Sequence, residues 1–280
     1  MENRMDRLTD CRKNGEGILS ISLSCNGSRE FDRNLELAHM LVEAGINQLM
    51  LITYNTNAGY IGSLAPAERT FVKMGIQNGC YETMWEDNVK VLRDAFPKLP
   101  IIVTPMAGDI ITFGKRRFLD RCAALGVDGL DTAQYRCVPD PIGLRRDCEE
   151  RNLGFIPAIN GGGLREDVPQ TFDTMDEQVR VNFKELFLVP AIPGSKDGID
   201  GARWKPVTDR IRRVQKEAGR VCPIIGIGGI TTLEDAKEIV GNGGVDGIHF
   251  SSAFMKRLFA NQPLKEISDW LKSVKEVISA

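Results

Sequence analysis

The chain has 280 residues, 42% hydrophobic and 26% charged, with 36 basic and 38 acidic side chains and a net charge of −2. A chain of this kind can bury a sizeable core, and its balanced charge excludes a general attraction to nucleic acid or anionic membrane. Seven cysteines with no C-x-x-C pair, and no apolar run near the ~18 residues of a membrane span, argue against a disulfide framework, a zinc site and a membrane protein.

Strand and helix signals alternate from end to end. The opening Met1-Glu2-Asn3-Arg4 has no apolar signal core, so a cytoplasmic protein is expected. Ile18 to Ser24 reads as strand one, and Glu30 to Ala44 as a helix that stops at Gly45. Gln48 to Thr53 is strand two, followed by a long loop to about Phe71. A helix over 82–96 leads to strand three at 100–104. A helix over 116–125, closed by Gly126, leads to strand four at 127–132. Pro141 suits a first helical turn, and strand five covers 154–159. Residues 165–179 suggest an irregular helix. Strand six covers 185–191 and the next helix 204–218. Two glycine-ended strands with their helices then complete the series, and an amphipathic helix ends the chain at about 263–279. Eight strand–helix pairs with no break in composition predict an α/β protein, a (β/α)8 TIM barrel forming a single domain over 1–280. A doubly wound sheet would place its glycine-rich loop after the first strand, whereas here the glycines come late.

The last two strands carry the clearest chemistry. Ile224-Ile225-Gly226-Ile227-Gly228-Gly229 and Gly247-Ile248-His249-Phe250-Ser251-Ser252 each end in small residues and open a helix. Gly226, Gly228 and Gly229 allow backbone N–H groups to approach an anion, and Ser251 and Ser252 add hydroxyls at a helix N-terminus. The pattern predicts a phosphate cradle at the barrel mouth. The Gly194–Gly198 turn after strand six also suits anion contact.

The other strand ends supply a polar mouth: Met50 and Tyr54, then Asn55, Asn57, Tyr60 and Glu68; Asp131, Gln134 and Tyr135; and Asn160, before three glycines. Proton transfer needs a carboxylate in a partly dry site, which selects Asp131 and Glu68. Asp131 fits a loop-capping role equally well, and Glu68 also suits the first turn of a helix. Asp109 and Asp197 read as turn residues, His39 and His249 as structural, and the three tryptophans as packing. No strand-end lysine offers a Schiff base. No cluster has metal-ligand spacing, so neither a metal nor a cofactor is expected.

From about Arg7 to Phe259 the chain resembles the tryptophan synthase alpha chain. The likeness runs through Arg12-Lys13-Asn14-Gly15-Glu16-Gly17, Leu41-Val42-Glu43-Ala44-Gly45, Lys98-Leu99-Pro100-Ile101, Cys122 to Gly129, Gly226-Ile227-Gly228 and Ser251-Ser252-Ala253. The resemblance implies a barrel that cleaves indole-3-glycerol phosphate by a retro-aldol reaction, with its phosphate on Gly194, Gly198, Gly228, Ser251 and Ser252. It also implies where this chain departs. Met50 stands at the family's strand-two glutamate, and a thioether cannot carry a proton. The family's aspartate after strand two is absent from Tyr54-Asn55-Thr56-Asn57-Ala58, leaving Glu68 as a displaced substitute. Gln134 replaces a further aspartate. That altered loop contacts the beta chain in the family, so a beta-chain partnership does not carry over.

Three readings follow. The first is a barrel of this lineage acting on a different phosphorylated small molecule by carbon–carbon cleavage, condensation or isomerisation. The second is an authentic alpha chain, and the third is a catalytically silent binding or regulatory partner. The sequence is compatible with a homo-oligomer and names no oligomeric state.

Overall fold

The computed structural model describes residues 3–25, 31–53, 84–131, 138–160, 170–182, 184–189 and 199–280. Helix α1 (Asp6–Lys13) precedes β1 (Ile18–Ser24), α2 (Phe31–Glu43) and β2 (Gln48–Ile52). Then come α3 (Met84–Ala95), β3 (Ile101–Thr104), α4 (Ala107–Phe113), α5 (Lys115–Leu125) and β4 (Gly129–Asp131). The middle of the chain supplies α6 (Leu144–Glu150), β5 (Gly154–Ile156), β6 (Ala158–Asn160), α7 (Gln170–Val181) and β7 (Leu186–Val189). The remainder is α8 (Gly201–Glu217), β8 (Ile224–Ile227), α9 (Leu233–Gly241), β9 (Gly247–Phe250), α10 (Ser252–Phe259) and α11 (Leu264–Ile278).

The strands pair in parallel in the order β5-β4-β3-β2-β1-β9-β8-β7-β6. The two ends of that order are one strand interrupted at Pro157. Proline has no N–H to donate to a ladder, yet its carbonyl still accepts from Phe187 N at 3.0 Å. The first half of this strand therefore pairs with β4 and the second with β7. Eight strands thus curl into a closed TIM barrel, as the sequence predicted. Leu19, Ile21, Leu49, Leu51, Val103 and Leu130 point outward into the main core beneath the helices.

The register staggers neighbouring strands by about one residue, so inward side chains stack in tiers drawn from alternate strands. From floor to mouth the tiers are Gln48, Gly129, Glu185 and Gly247; then Ser20, Ile102, Ile156 and Ile225; then Met50, Asp131, Phe187 and His249; then Ser22, Thr104, Ala158 and Ile227.

Helix α1, absent from the sequence-based series, lies against the floor of the barrel. Met5 and Leu8 join the inner apolar cluster with Ile18, Met50, Ile102, Ile156, Phe187 and Ile225. Gly129 and Gly154 leave room for it, since a Cβ at either would stand 2.8 Å from the Met5 sulfur. The segment before α1 is stitched down by Asp128. Its Oδ1 accepts from Arg4 N and Nη1, both at 3.0 Å, and its Oδ2 from Arg93 Nη2 at 2.8 Å and Ile101 N at 2.9 Å.

Other elements differ locally from expectation. Pro141 lies before α6 rather than in its first turn, and Asp140 caps that helix through Arg145 N and Arg146 N. Helix α7 is regular from Gln170, and α4 is an additional short helix. No helix among the described residues is long and apolar enough to cross a membrane.

Candidate functional site at the barrel mouth

Strands β8 and β9 are neighbours, with Gly226 opposite Ile248 and Ile227 opposite His249, so the loops after them emerge side by side. After β8 the chain turns through Gly228 (φ 84°) and Gly229 (φ 75°). This left-handed backbone is what glycine permits and β-carbons oppose, and both residues are exposed at the mouth. Helix α9 follows, but its N-terminal donors are already occupied. Asp235 Oδ2 accepts from Thr231 N (2.9 Å) and Thr232 N (3.0 Å), and Thr232 Oγ1 accepts from Asp235 N at 3.0 Å.

The N-terminus of α10 follows the neighbouring strand β9. Ser251 is its N-cap residue and makes no side-chain cap hydrogen bond, and Ser251 and Ser252 are half-buried. An anion at the mouth would meet the Gly228–Gly229 turn on one side and the positive end of α10 on the other. Gly226 lies deeper. Its backbone lies in the β ladder, and a Cβ there would meet Ile230 Cδ1 at 3.3 Å and Ile239 Cγ1 at 3.5 Å.

Beneath the mouth the barrel interior is polar. His249 lies between two serines of β1, with Nδ1 2.9 Å from Ser20 Oγ and Nε2 2.8 Å from Ser22 Oγ. Ser22 is also 3.4 Å from Met50 Sδ, and Ser20 accepts from Gln48 Nε2 at 3.4 Å. Gln48 Nε2 reaches Glu185 Oε1 at 3.3 Å, across the gap left by Gly129 and Gly247 in the floor tier.

One assignment of protons serves the whole chain. Ser22 donates to the Met50 thioether and accepts from His249 Nε2–H, while Ser20 donates to Nδ1 and accepts from Gln48. His249 is then the Nε2–H tautomer. Burial holds it neutral, with its pKa pushed down to about 3. Burial likewise raises Glu185 to about 8, against a lowering by the Gln48 hydrogen bond and with a further rise from Asp131. Gln48 Oε1 and Glu185 Oε2 have no hydrogen-bond partner among the described residues.

Of the proposed acids, Asp131 ends β4 in the tier directly below the mouth and is 4% exposed. Met50 is in the same tier, buried in the inner cluster, and its thioether accepts a hydrogen bond without offering a proton. Asn160 ends β6. Glu68, Tyr54, Asn55, Asn57, Tyr60, Gln134, Tyr135, Gly194 and Gly198 lie outside the described residues. Asp109, expected in a turn, lies in the first turn of α4 and accepts from Met106 N at 3.3 Å as that helix's cap. His39 is exposed and packs edge-on against Phe96. Among the described residues no group of three or more His, Cys, Asp or Glu could hold a metal ion.

The interior contacts of Ser20, Ser22, Gln48, Glu185 and His249 escaped the sequence reading. The alternating serines of Ile18–Ser24 were the available signal, since with period two they share one face of the strand.

No family model matches the chain, and no curated protein matches it in sequence. In structure it is similar to a protein of Aquifex aeolicus VF5, with 17% identity, a TM-score of 0.80 and 99% of each chain covered. It is also similar to tryptophan synthase subunit alpha from Legionella pneumophila str. Paris (17% identity, TM-score 0.78, 99% of each chain). Tryptophan synthase of Mycobacterium tuberculosis gives 16% identity and a TM-score of 0.79 over 100% of each chain. The chain therefore has the TIM-barrel fold of tryptophan synthase alpha chains over its whole length.

Proposed function

We propose that this barrel binds a phosphorylated small molecule at its mouth and acts on it as a lyase or aldolase-type enzyme, on a substrate other than indole-3-glycerol phosphate. The observation that carries the reading is the placement of the Gly228–Gly229 turn beside the N-terminus of α10, after adjacent strands. The fold shared with tryptophan synthase alpha chains adds support, because in such barrels phosphate commonly sits beyond the last two strands. Asp131 and Glu68 are the proposed acid and base, Glu68 standing in the sequence between β2 and α3. Met50 speaks against the alpha-chain reaction itself, because the strand position that would supply a proton carries a thioether. The proposal includes no beta-chain partner.

Calorimetric titration of the full chain with inorganic phosphate tests the anchor. Saturable binding that weakens about tenfold in Ser252→Ala is expected, since a hydrogen bond to a charged group is worth roughly 1.5–3 kcal/mol. Absence of binding would sink the reading. Release of indole from indole-3-glycerol phosphate, with or without a beta chain, would show an ordinary alpha chain instead. Phosphate binding with no turnover of any phosphorylated carbonyl compound would favour a silent binding protein.

A further inference from the structure

Resting on that phosphate reading, the tiers below the mouth bear on what the other end of the ligand looks like. Barrel interiors are filled mainly by bulky branched residues, and here the two tiers nearest the mouth carry Ser22, Thr104, Asp131 and His249. Thr104 is 4% exposed, and its Oγ1 has no hydrogen-bond partner among the described residues. Ile102 belongs to the inner cluster, so Thr104, two residues further along β3, faces the same interior one step closer to the mouth. A buried hydroxyl without a partner is a cost that a bound oxygen atom would remove.

Ser22 shares that top tier. Its oxygen is held by His249 Nε2 at 2.8 Å, and its single proton rests on the Met50 thioether at 3.4 Å. A thioether is a weak acceptor, so the proton can turn to a stronger one at little cost while the imidazole keeps the oxygen in place.

We infer that Ser22 and Thr104 hold the oxygens of a hydroxylated, non-aromatic head on the phosphorylated substrate, and that His249 is the positioning residue that orients the Ser22 hydroxyl. An aromatic head in this place would leave the Thr104 hydroxyl unsatisfied and offer the Ser22 proton no stronger acceptor than the thioether. A polyhydroxy aldehyde or ketone offers both an oxygen.

The test is calorimetry of the full chain with three probes: inorganic phosphate, erythrose 4-phosphate and phenyl phosphate. Erythrose 4-phosphate should bind about tenfold or more tighter than phosphate, as expected for one or two additional hydrogen bonds. Phenyl phosphate should gain nothing over phosphate. Thr104→Val and Ser22→Ala should each weaken erythrose 4-phosphate about three- to tenfold and leave phosphate affinity unchanged.

The positioning role is read separately, by 15N spectra of histidine-labelled protein. His249 should be the neutral Nε2–H tautomer, and its Nε2 resonance should move with erythrose 4-phosphate and stay still with inorganic phosphate. A purely structural histidine would move with neither. Equal affinity for erythrose 4-phosphate and phosphate, tighter binding of phenyl phosphate, or parallel loss of both ligands in Thr104→Val would overturn the inference and leave the phosphate anchor standing. If inorganic phosphate itself does not bind, the anchor falls and the inference falls with it.

Discussion

Glu185 and His249 are both buried in the barrel interior, and they pull the pH dependence of stability in opposite directions. The folded-state pKa of Glu185 is raised to about 8 by burial. Between an unfolded value near 4.3 and 8 the native state holds a proton that the unfolded chain has lost, so stability falls as pH rises through that window. The pKa of His249 is depressed to about 3 by burial. Between 3 and an unfolded value near 6.5 the unfolded chain holds the additional proton, so this contribution is lost as pH falls. The two slopes largely cancel between about pH 4.3 and 6.5. Urea denaturation across pH 3–9 should therefore show a plateau there, with stability declining on either side. Glu185→Gln should remove the alkaline decline, worth at most about 1.4 kcal/mol per pH unit. A decline that persists unchanged in this variant would mean that Glu185 is ionised in the fold.

At the mouth, Gly228 and Gly229 hold φ values of 84° and 75°. Alanine at either should cost roughly 1–2 kcal/mol of stability through backbone strain, and it should also weaken phosphate binding. Equilibrium unfolding and calorimetry on the same variant separate the two effects. Of the proposed cradle, these two glycines adopt the positive φ that their residue type readily permits. A glycine kept for packing and a glycine kept for anion approach look identical in a one-dimensional string.

Among the elements, α1 was the hardest to foresee. Its sequence, Asp6 to Lys13, is dominated by charged and polar residues, with Leu8 its one fully buried side chain. No long helical stripe is visible because its apolar contact with the barrel is made by Leu8, the partly buried Cys11 and Met5 just outside the helix. Leu8→Ala should cost about 2–5 kcal/mol, measured by urea denaturation. A cost below 1 kcal/mol would mean that α1 does not seal the floor. Asp128→Asn leaves Arg4 and Arg93 without their carboxylate, and breaking a buried pair in this way costs roughly 3–5 kcal/mol. The fifth strand shows the complementary case. Residues 154–159 read as one strand and are one in the barrel, but Pro157 divides the ladder so that each half serves a different neighbour. Hydrophobic periodicity finds a strand and does not say on which side it pairs.

For the molecule as a whole, a ligand that binds only the folded barrel must raise its stability by mass action. Phosphate at about 100 times its Kd would add roughly 2.7 kcal/mol, which for a chain of this size is a rise of several degrees in Tm. Thermal unfolding with and without phosphate should show that rise in the wild type and a smaller one in Ser252→Ala. The sequence by itself determined the alternation of strands and helices, the closed barrel, and the late pair of glycine- and serine-ended strands that builds the mouth. These are local patterns: period two against period 3.6, and small residues at strand ends. Only the tertiary structure decided what fills the interior. Ser20 meets His249 across 229 residues, and Gln48 meets Glu185 across 137. Whether a histidine is neutral or a glutamate keeps its proton depends on how completely the assembled barrel removes water from it. Desolvation is a property of three-dimensional neighbours, and no spacing along the chain encodes it.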